Sequence, residues 1–204
     1  MNARERLLQI SYDKRLSHIG SCITSLPIIE MVYRIKRPGD KFLLGEGHAG
    51  LALYCVLESL GLGNAEEMLE KQGIHPTRLE SQGLIDASTG SLGQGLPIAV
   101  GMALADRNRN VYVLESDGSM AEGSNWEALR IAEEQKLENL VILVNANGWS
   151  GLGATDIDKL ERRLKDFDLD ITVWRTDPIY PFLQGLVGHY ATMTPEQYES
   201  TRET

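Results

Sequence analysis

Tyr112-Val113-Leu114-Glu115-Ser116-Asp117-Gly118-Ser119-Met120-Ala121-Glu122-Gly123 and, one helical segment later, Val141-Ile142-Leu143-Val144-Asn145-Ala146-Asn147-Gly148-Trp149-Ser150-Gly151 are two apolar, β-branched runs. Each ends in a polar cluster with glycine. A helix between two such runs makes a βαβ unit, and its right-handed crossover makes the strands parallel. Asp117 and Asn147 then fall at the carboxyl ends of parallel strands, where open α/β sheets bind ligands.

Asp and Asn both offer hard oxygen donors. Magnesium takes six oxygens and is usually held by a few protein groups plus substrate phosphates. The Asp117 carboxylate, the Asn147 amide oxygen and a backbone carbonyl just past it leave positions for phosphate oxygens and a water, which is a metal–diphosphate clamp. The same Asp-Gly and Asn-Gly pairs are also what plain strand-to-helix turns use. The spacing alone leaves both readings open.

The 204 residues suffice for one domain with a sizeable core, and the expectation is a single domain over residues 1–204. Hydrophobic content of 42% and charged content of 24% are ordinary for a soluble globular chain. A formal net charge of -9 argues against nucleic-acid or anionic-membrane partners, which want a basic patch. Cys22 and Cys55 sit in apolar helical patterns without metal spacing and read as buried free thiols of a reducing compartment. No apolar run is long enough for a signal peptide or a membrane span, so the expected location is cytoplasmic.

In chain order, residues 2–16 predict an amphipathic helix. A small-residue loop with His18 leads to a second helix over 25–33, with Ser25 as N-cap and Pro27 in the first turn. Residues 41–44 predict a strand that ends in Gly45-Glu46-Gly47-His48-Ala49-Gly50 before a helix over 51–60. Asn64 to Glu67 has a capping-box pattern, and Gly73 stops that helix. His75-Pro76 follows in a loop. Thr89-Gly90-Ser91-Leu92-Gly93-Gln94-Gly95 is glycine-dense but is neither GxGxxG nor a P-loop. The apolar, small-residue helix after it reads as buried on every side, one side by another subunit. Ser124 to Glu127 predicts a second capping box and a helix to Leu137 with Ala128, Leu129 and Ala132 inward. A charged helix over 155–167, a strand over 171–174, a loop at Gly188-His189 and a short helix capped by Thr194 complete the reading. All four histidines fall in predicted loops at strand or helix ends.

The chain resembles the N-terminal, thiamine-diphosphate-binding half of transketolase, from about residue 16 through the Asn147 loop and more weakly beyond. Ser17-His18-Ile19-Gly20, Gly45-Glu46-Gly47-His48-Ala49 and His75-Pro76 are similar to the family's histidine loops, in order. Thr89 to Gly95 is similar to its glycine loop, and Asp117-Gly118 through Asn147-Gly148 to its cofactor signature. The resemblance implies an α/β thiamine-diphosphate-binding fold, with a mostly parallel sheet flanked by helices on both faces. It implies that Asp117, Asn147 and the Trp149 carbonyl coordinate Mg²⁺ (or Ca²⁺ or Mn²⁺), and that Gly118 and His48 contact the diphosphate. It further implies that Gly90 and Leu92 meet the cofactor rings through backbone atoms, and that His18 and His75 hydrogen-bond a sugar or sugar-phosphate donor. His189 matches a late active-site histidine, and Glu122 an interface acid that communicates with a partner's cofactor-activating acid. The implied reaction is transfer of a two-carbon ketol unit from a ketose to an aldose. A different thiamine-diphosphate reaction, of the 2-oxoacid decarboxylation type, and a non-catalytic cofactor-binding module are the alternatives.

Ser116 stands where the family commonly has Gly, and Asn145 where it commonly has Asp. The segment between Thr155 and His189 is shorter than in the family, which puts the place of His189 in question. The family's pyrimidine-binding domain has no counterpart here. The expectation is a split enzyme, in which this chain joins a C-terminal transketolase subunit in a heterotetramer.

Overall fold

The computed structural model describes residues 1–202. Its strands are β1 (Lys41–Leu44), β2 (Val111–Ser116), β3 (Leu140–Ala146), β4 (Trp149–Ser150), β5 (Gly153–Ala154) and β6 (Asp170–Arg175). β1, β2, β3 and β6 form one sheet in the order β1-β2-β3-β6, with every neighbouring pair parallel. β4 and β5 are a two-residue antiparallel pair in the loop after β3. β2 is buried along its whole length and β3 nearly so, as expected of strands covered on both faces.

The helices are α1 (Ala3–Asp13), α2 (Ile19–Ile35), α3 (Gly50–Ser59), α4 (Ala65–Gln72), α5 (Gly95–Ala105), α6 (Gly123–Glu134), α7 (Ile157–Leu164), α8 (Gly185–Tyr190) and α9 (Pro195–Ser200). Alternation along the strands divides them into two layers, because successive side chains point to opposite faces. Tyr112, Leu114 and Leu143 join the core beneath α1 to α4. Val111, Val113, Ile142 and Val144 join the core beneath α5 and α6. The expected α/β architecture, with a parallel sheet between two helical layers, is the one found.

Several boundaries differ from the sequence reading for local physical reasons. α1 stops at Asp13, and Arg15 takes a positive φ of 53°. α2 begins six residues earlier than Ser25, at Ile19, and contains Pro27 in its interior. Ser25 caps nothing: its hydroxyl turns back onto the Ser21 carbonyl (2.6 Å) and reaches the Glu46 carboxyl (2.6 Å). Thr24 bonds back to Gly20 and Ser21 in the same way. At Asn64 only half of the capping box forms, the Asn64 side chain accepting from the Glu67 N–H. Ser124 is inside α6 and donates to the Gly93 carbonyl (2.6 Å), tying α6 to the glycine loop. α6 ends at Glu134 and α7 is shorter than predicted. His189 lies in α8, not in a loop.

α5 is not covered on every side within this chain. Leu96, Ala99, Val100 and Ala103 are buried, while Gly101, Leu104 and Ala105 are exposed. Its first residue has no room for a side chain. A Cβ on Gly95 would lie 2.4 Å from the Gly45 Cα and 2.6 Å from Glu115 Oε1, whereas one on Gly101 would meet nothing within 4 Å. Gly95→Ala is therefore expected to lose about 1–3 kcal/mol through overpacking. Gly101→Ala should gain about 0.5–1 kcal/mol, because alanine has less backbone entropy to lose in a helix. Urea unfolding of the two variants checks the opposite signs.

Candidate active site at the carboxyl edge of the sheet

β1, β2, β3 and β6 all end on one edge, and the segments leaving it converge. Gly45 to His48 leaves β1, Asp117-Gly118 leaves β2, and Asn147 to Gly151 leaves β3. α2 delivers His18 from the side. His18 takes left-handed backbone angles (φ 61°, ψ 21°) at the N-cap of α2, an uncommon conformation for a residue with a side chain. Its N–H donates to the His189 carbonyl (3.1 Å), which fastens α8 over the edge. Tyr190 adds a second fastening by donating to the Gly151 carbonyl (2.8 Å).

These segments enclose a cavity of about 200 Å³. His18, His48, His75 and His189 line it together. Ring centroids lie 4.6 Å apart for His18 and His189, 5.3 Å for His18 and His48, and 5.5 Å for His48 and His189. Gly90, Leu92, Gly118, Asn147 and Trp149 complete the predicted lining. Gly90, at φ 139°, lies so close to His75 that a Cβ would sit 2.8 Å from the imidazole.

Two predicted residues lie off the cavity wall. Asp117 is buried just beneath it, with Oδ2 accepting from the Gly148 N–H (2.9 Å) and the Thr155 hydroxyl, and Oδ1 from the Gly118 N–H (3.1 Å). Glu122 is exposed and stands beside the glycine loop at Gly93. The segment between Thr155 and His189 brings His189 to the cavity.

Burial sets the charge of the site. It lowers the His18 pKa to about 4, with His189 and His75 adding to the effect. It lowers His48 to about 3, helped by the other three imidazoles, and lowers His189 as well. At neutral pH, therefore, His18, His48 and His189 are uncharged donors and acceptors. Burial raises the Asp117 carboxyl, against the pull of Thr155, Gly148 and Gly118, so a cation at its free lone pairs would favour the charged form. Among the described residues no three His, Cys, Asp or Glu groups cluster as a metal site. An ion held by Asp117, the Asn147 amide and the Trp149 carbonyl would meet a mixed oxygen set, the kind that suits Mg²⁺ or Ca²⁺.

Sequence reasoning missed a layer of buried polar groups beneath the cavity. Asn145 and Glu46 are both 0% exposed. The Asn145 amide nitrogen lies 3.0 Å from Thr24 Oγ1, 3.1 Å from Ser25 Oγ, and 3.2 and 3.3 Å from the two Glu46 oxygens. Its amide oxygen accepts from Thr176 (2.6 Å), at the start of the segment that carries His189. Glu115, also fully buried, accepts from Ser119 (2.5 Å). The sequence held signals for both acids: a Glu between two glycines after β1, and a Glu within the apolar run of β2.

Residues 34–175 match the family model described as "Transketolase, thiamine diphosphate binding domain". His18 and His189 lie outside that match, and the other predicted site residues lie inside it. The chain is 32% identical over 178 residues to an apulose-4-phosphate transketolase subunit of Actinobacillus succinogenes, covering 76% of this chain and 64% of that protein. It is 32% identical over 194 residues to the same-named subunit of Phocaeicola vulgatus, covering 82% of this chain and 68% of that one. The chain thus spans about two thirds of the length of these curated relatives. A transketolase structure from Leishmania mexicana superposes with a TM-score of 0.73 at 21% identity, over 96% of this chain and 38% of that one, a likeness of fold.

The buried imidazole of His48 gives a pH test. Its folded pKa lies below the ordinary value, so below about pH 6.5 the unfolded chain binds a proton that the folded chain does not. Its contribution to stability is present above that value and is lost as pH falls, by at most about 1.4 kcal/mol per pH unit. The thermal midpoint of the native chain should drop more steeply than that of His48→Gln between about pH 7 and about pH 5. Parallel profiles would show that His48 is not held neutral.

Proposed function

The chain belongs to the transketolase thiamine-diphosphate-binding family, and on that premise we propose that it is the diphosphate-binding subunit of a split, transketolase-type enzyme. The observation that carries this reading is the convergence of four histidines, the glycine loop and the Asp117 and Asn147 strand ends on one cavity at the carboxyl edge of a parallel sheet.

Asp117, Asn147 and the Trp149 carbonyl would hold Mg²⁺, with Gly118 and His48 at the diphosphate and the backbone of Gly90 and Leu92 against the rings. When bound, thiamine diphosphate supplies the electron sink for breaking and remaking the carbon–carbon bond beside a ketose carbonyl. The protein's share is positioning and proton handling. His18 and His75 hydrogen-bond the hydroxyls of the sugar or sugar phosphate, and His189 closes the same wall. Neutral imidazoles both donate to and accept from hydroxyls, which suits a polyhydroxylated substrate better than a 2-oxoacid. They do not offset the charge of a diphosphate, and the ion must do so.

A partner chain carrying the pyrimidine-binding domain is part of the proposal, in a heterotetramer. Small-molecule and cofactor pockets typically measure about 300–1,000 Å³, and this cavity, at about 200 Å³, is smaller. Exposed apolar groups stand at its rim, Leu92 and Trp149 among them, and Glu122 stands outside it near the glycine loop, where a partner would meet it. The two relatives named as single subunits of a transketolase support such a division.

Calorimetric titration of thiamine diphosphate with Mg²⁺, into this chain alone and with its C-terminal partner, tests the reading. Binding is expected to be tight only with both ion and partner. A bare diphosphate beside Asp117 at roughly 4 Å and an effective dielectric of about 20 costs about 4 kcal/mol per charge pair, about a thousandfold in affinity. Excess chelator should therefore abolish binding, and so should Asp117→Ala, which removes a ligand. Undiminished affinity in either case overturns the metal assignment. Absence of binding in every condition moves the chain to a non-catalytic role.

A further inference from the structure

The buried polar layer beneath the cavity has no part in the chemistry above, and its hydrogens do not balance if Glu46 is charged. Ser25 has one hydroxyl hydrogen, yet its oxygen lies 2.6 Å from the Ser21 carbonyl and 2.6 Å from Glu46 Oε1. If Glu46 is ionised, Ser25 can donate to only one of these two acceptors, and the other oxygen pair stands at hydrogen-bond distance with no hydrogen between. If Glu46 carries a proton, the chain closes: Glu46 donates to Ser25, and Ser25 donates to Ser21. The Asn145 amide then gives one hydrogen to Thr24 Oγ1 and the other to the remaining Glu46 oxygen.

We infer that Glu46 is held as the neutral acid and serves as a positioning residue, its proton fixing Ser25 in the first turns of α2 and its other oxygen fixing Asn145 and, through them, the His18 and Asn147 walls of the cavity. The titratable groups that face it are Glu115 and Asp117 at the end of β2 and the Cys22 thiol on α2. No cation is among them. Burial, with those two acids, raises the Glu46 pKa to about 8, although Ser25 and Asn145 at hydrogen-bond distance oppose the shift, and burial raises the Cys22 thiol to about 12. The arrangement also accounts for the amide at position 145. A carboxylate there would face Glu46 with no hydrogen to give.

Glu46→Gln is the discriminating variant, because its amide keeps a donor group and an acceptor group without a titratable proton. The sign follows from the raised pKa. Folded Glu46 holds a proton that the unfolded chain has released above about pH 4.5, so its stabilisation is full below that pH and is lost as pH rises through about 8. In urea unfolding without cofactor, the folding constant of the native chain relative to Glu46→Gln should fall about tenfold per pH unit within that window. Parallel profiles, or failure of Glu46→Gln to fold, overturn the inference. In the second arm, thiamine diphosphate with Mg²⁺ is titrated into the complex with the C-terminal partner. Glu46→Gln should keep its affinity within about threefold, and Glu46→Ala should lose about tenfold or more. Equal affinities for all three forms would show that Glu46 positions nothing. This second arm rests on the proposed function and the first does not. If thiamine diphosphate binds no form, the function fails and the pH comparison still decides Glu46.

Discussion

Asn145 sits at the crossing point of the molecule. Its amide nitrogen faces Thr24 and Ser25 of α2 and Glu46 after β1, and its oxygen accepts from Thr176 after β6. Four segments that are distant in the chain are held to one another by a single side chain with no exposure to solvent. These are the segments that carry His18, His48, Asn147 and His189. A buried polar group of this kind costs free energy unless each of its bonds is made. The network is therefore exacting, and it ties together the segments that carry three of the four histidines.

The sheet supplies the other half of the constraint. Its strands are parallel and end together, so every connecting segment begins on the same edge. Glycine lets those segments approach one another. The 2.8 Å that a Cβ on Gly90 would keep from the His75 ring, and the crowding of Gly95 on Gly45, show the glycine loop lying directly on its neighbours. The result is a small, low-dielectric pocket in which His18 and His48 stay uncharged and burial raises the Asp117 carboxyl. The exposed residues of α5, with Leu92 and Trp149 at the rim of the cavity, leave apolar surface in contact with solvent.

Most of the architecture was legible. The strand over 41–44, both members of the central βαβ unit, the helices flanking them and the capping box at Thr194 and Gln197 all formed as their local patterns dictate. The errors have a common source. Ser25 and Ser124 look like N-caps because serine at a polar-to-apolar boundary usually is one, but the Ser25 hydroxyl lies between the Ser21 carbonyl and the Glu46 carboxyl, and the Ser124 hydroxyl donates to the Gly93 carbonyl. Pro27 looks like a first-turn residue, but it lies exposed in the interior of α2, where burial of the residues around it maintains the helix. In each case tertiary packing overrode a local preference.

The sequence by itself determined the βαβ periodicity, the placing of Asp117 and Asn147 at strand ends and the order of the histidine and glycine loops. All of these are written in stretches of a dozen residues or fewer, where turn chemistry and side-chain alternation act. Only the tertiary structure decided that His189 reaches the cavity from within a helix, that Glu122 stands outside it, that His18, His48 and His189 are neutral, and that Glu46 and Asn145 are partners. Those outcomes depend on burial and on contacts between residues 99 and 121 positions apart, such as Asn145 with Glu46 and with Thr24. Desolvation and hydrogen-bond satisfaction are properties of the assembled interior, and no local pattern encodes them.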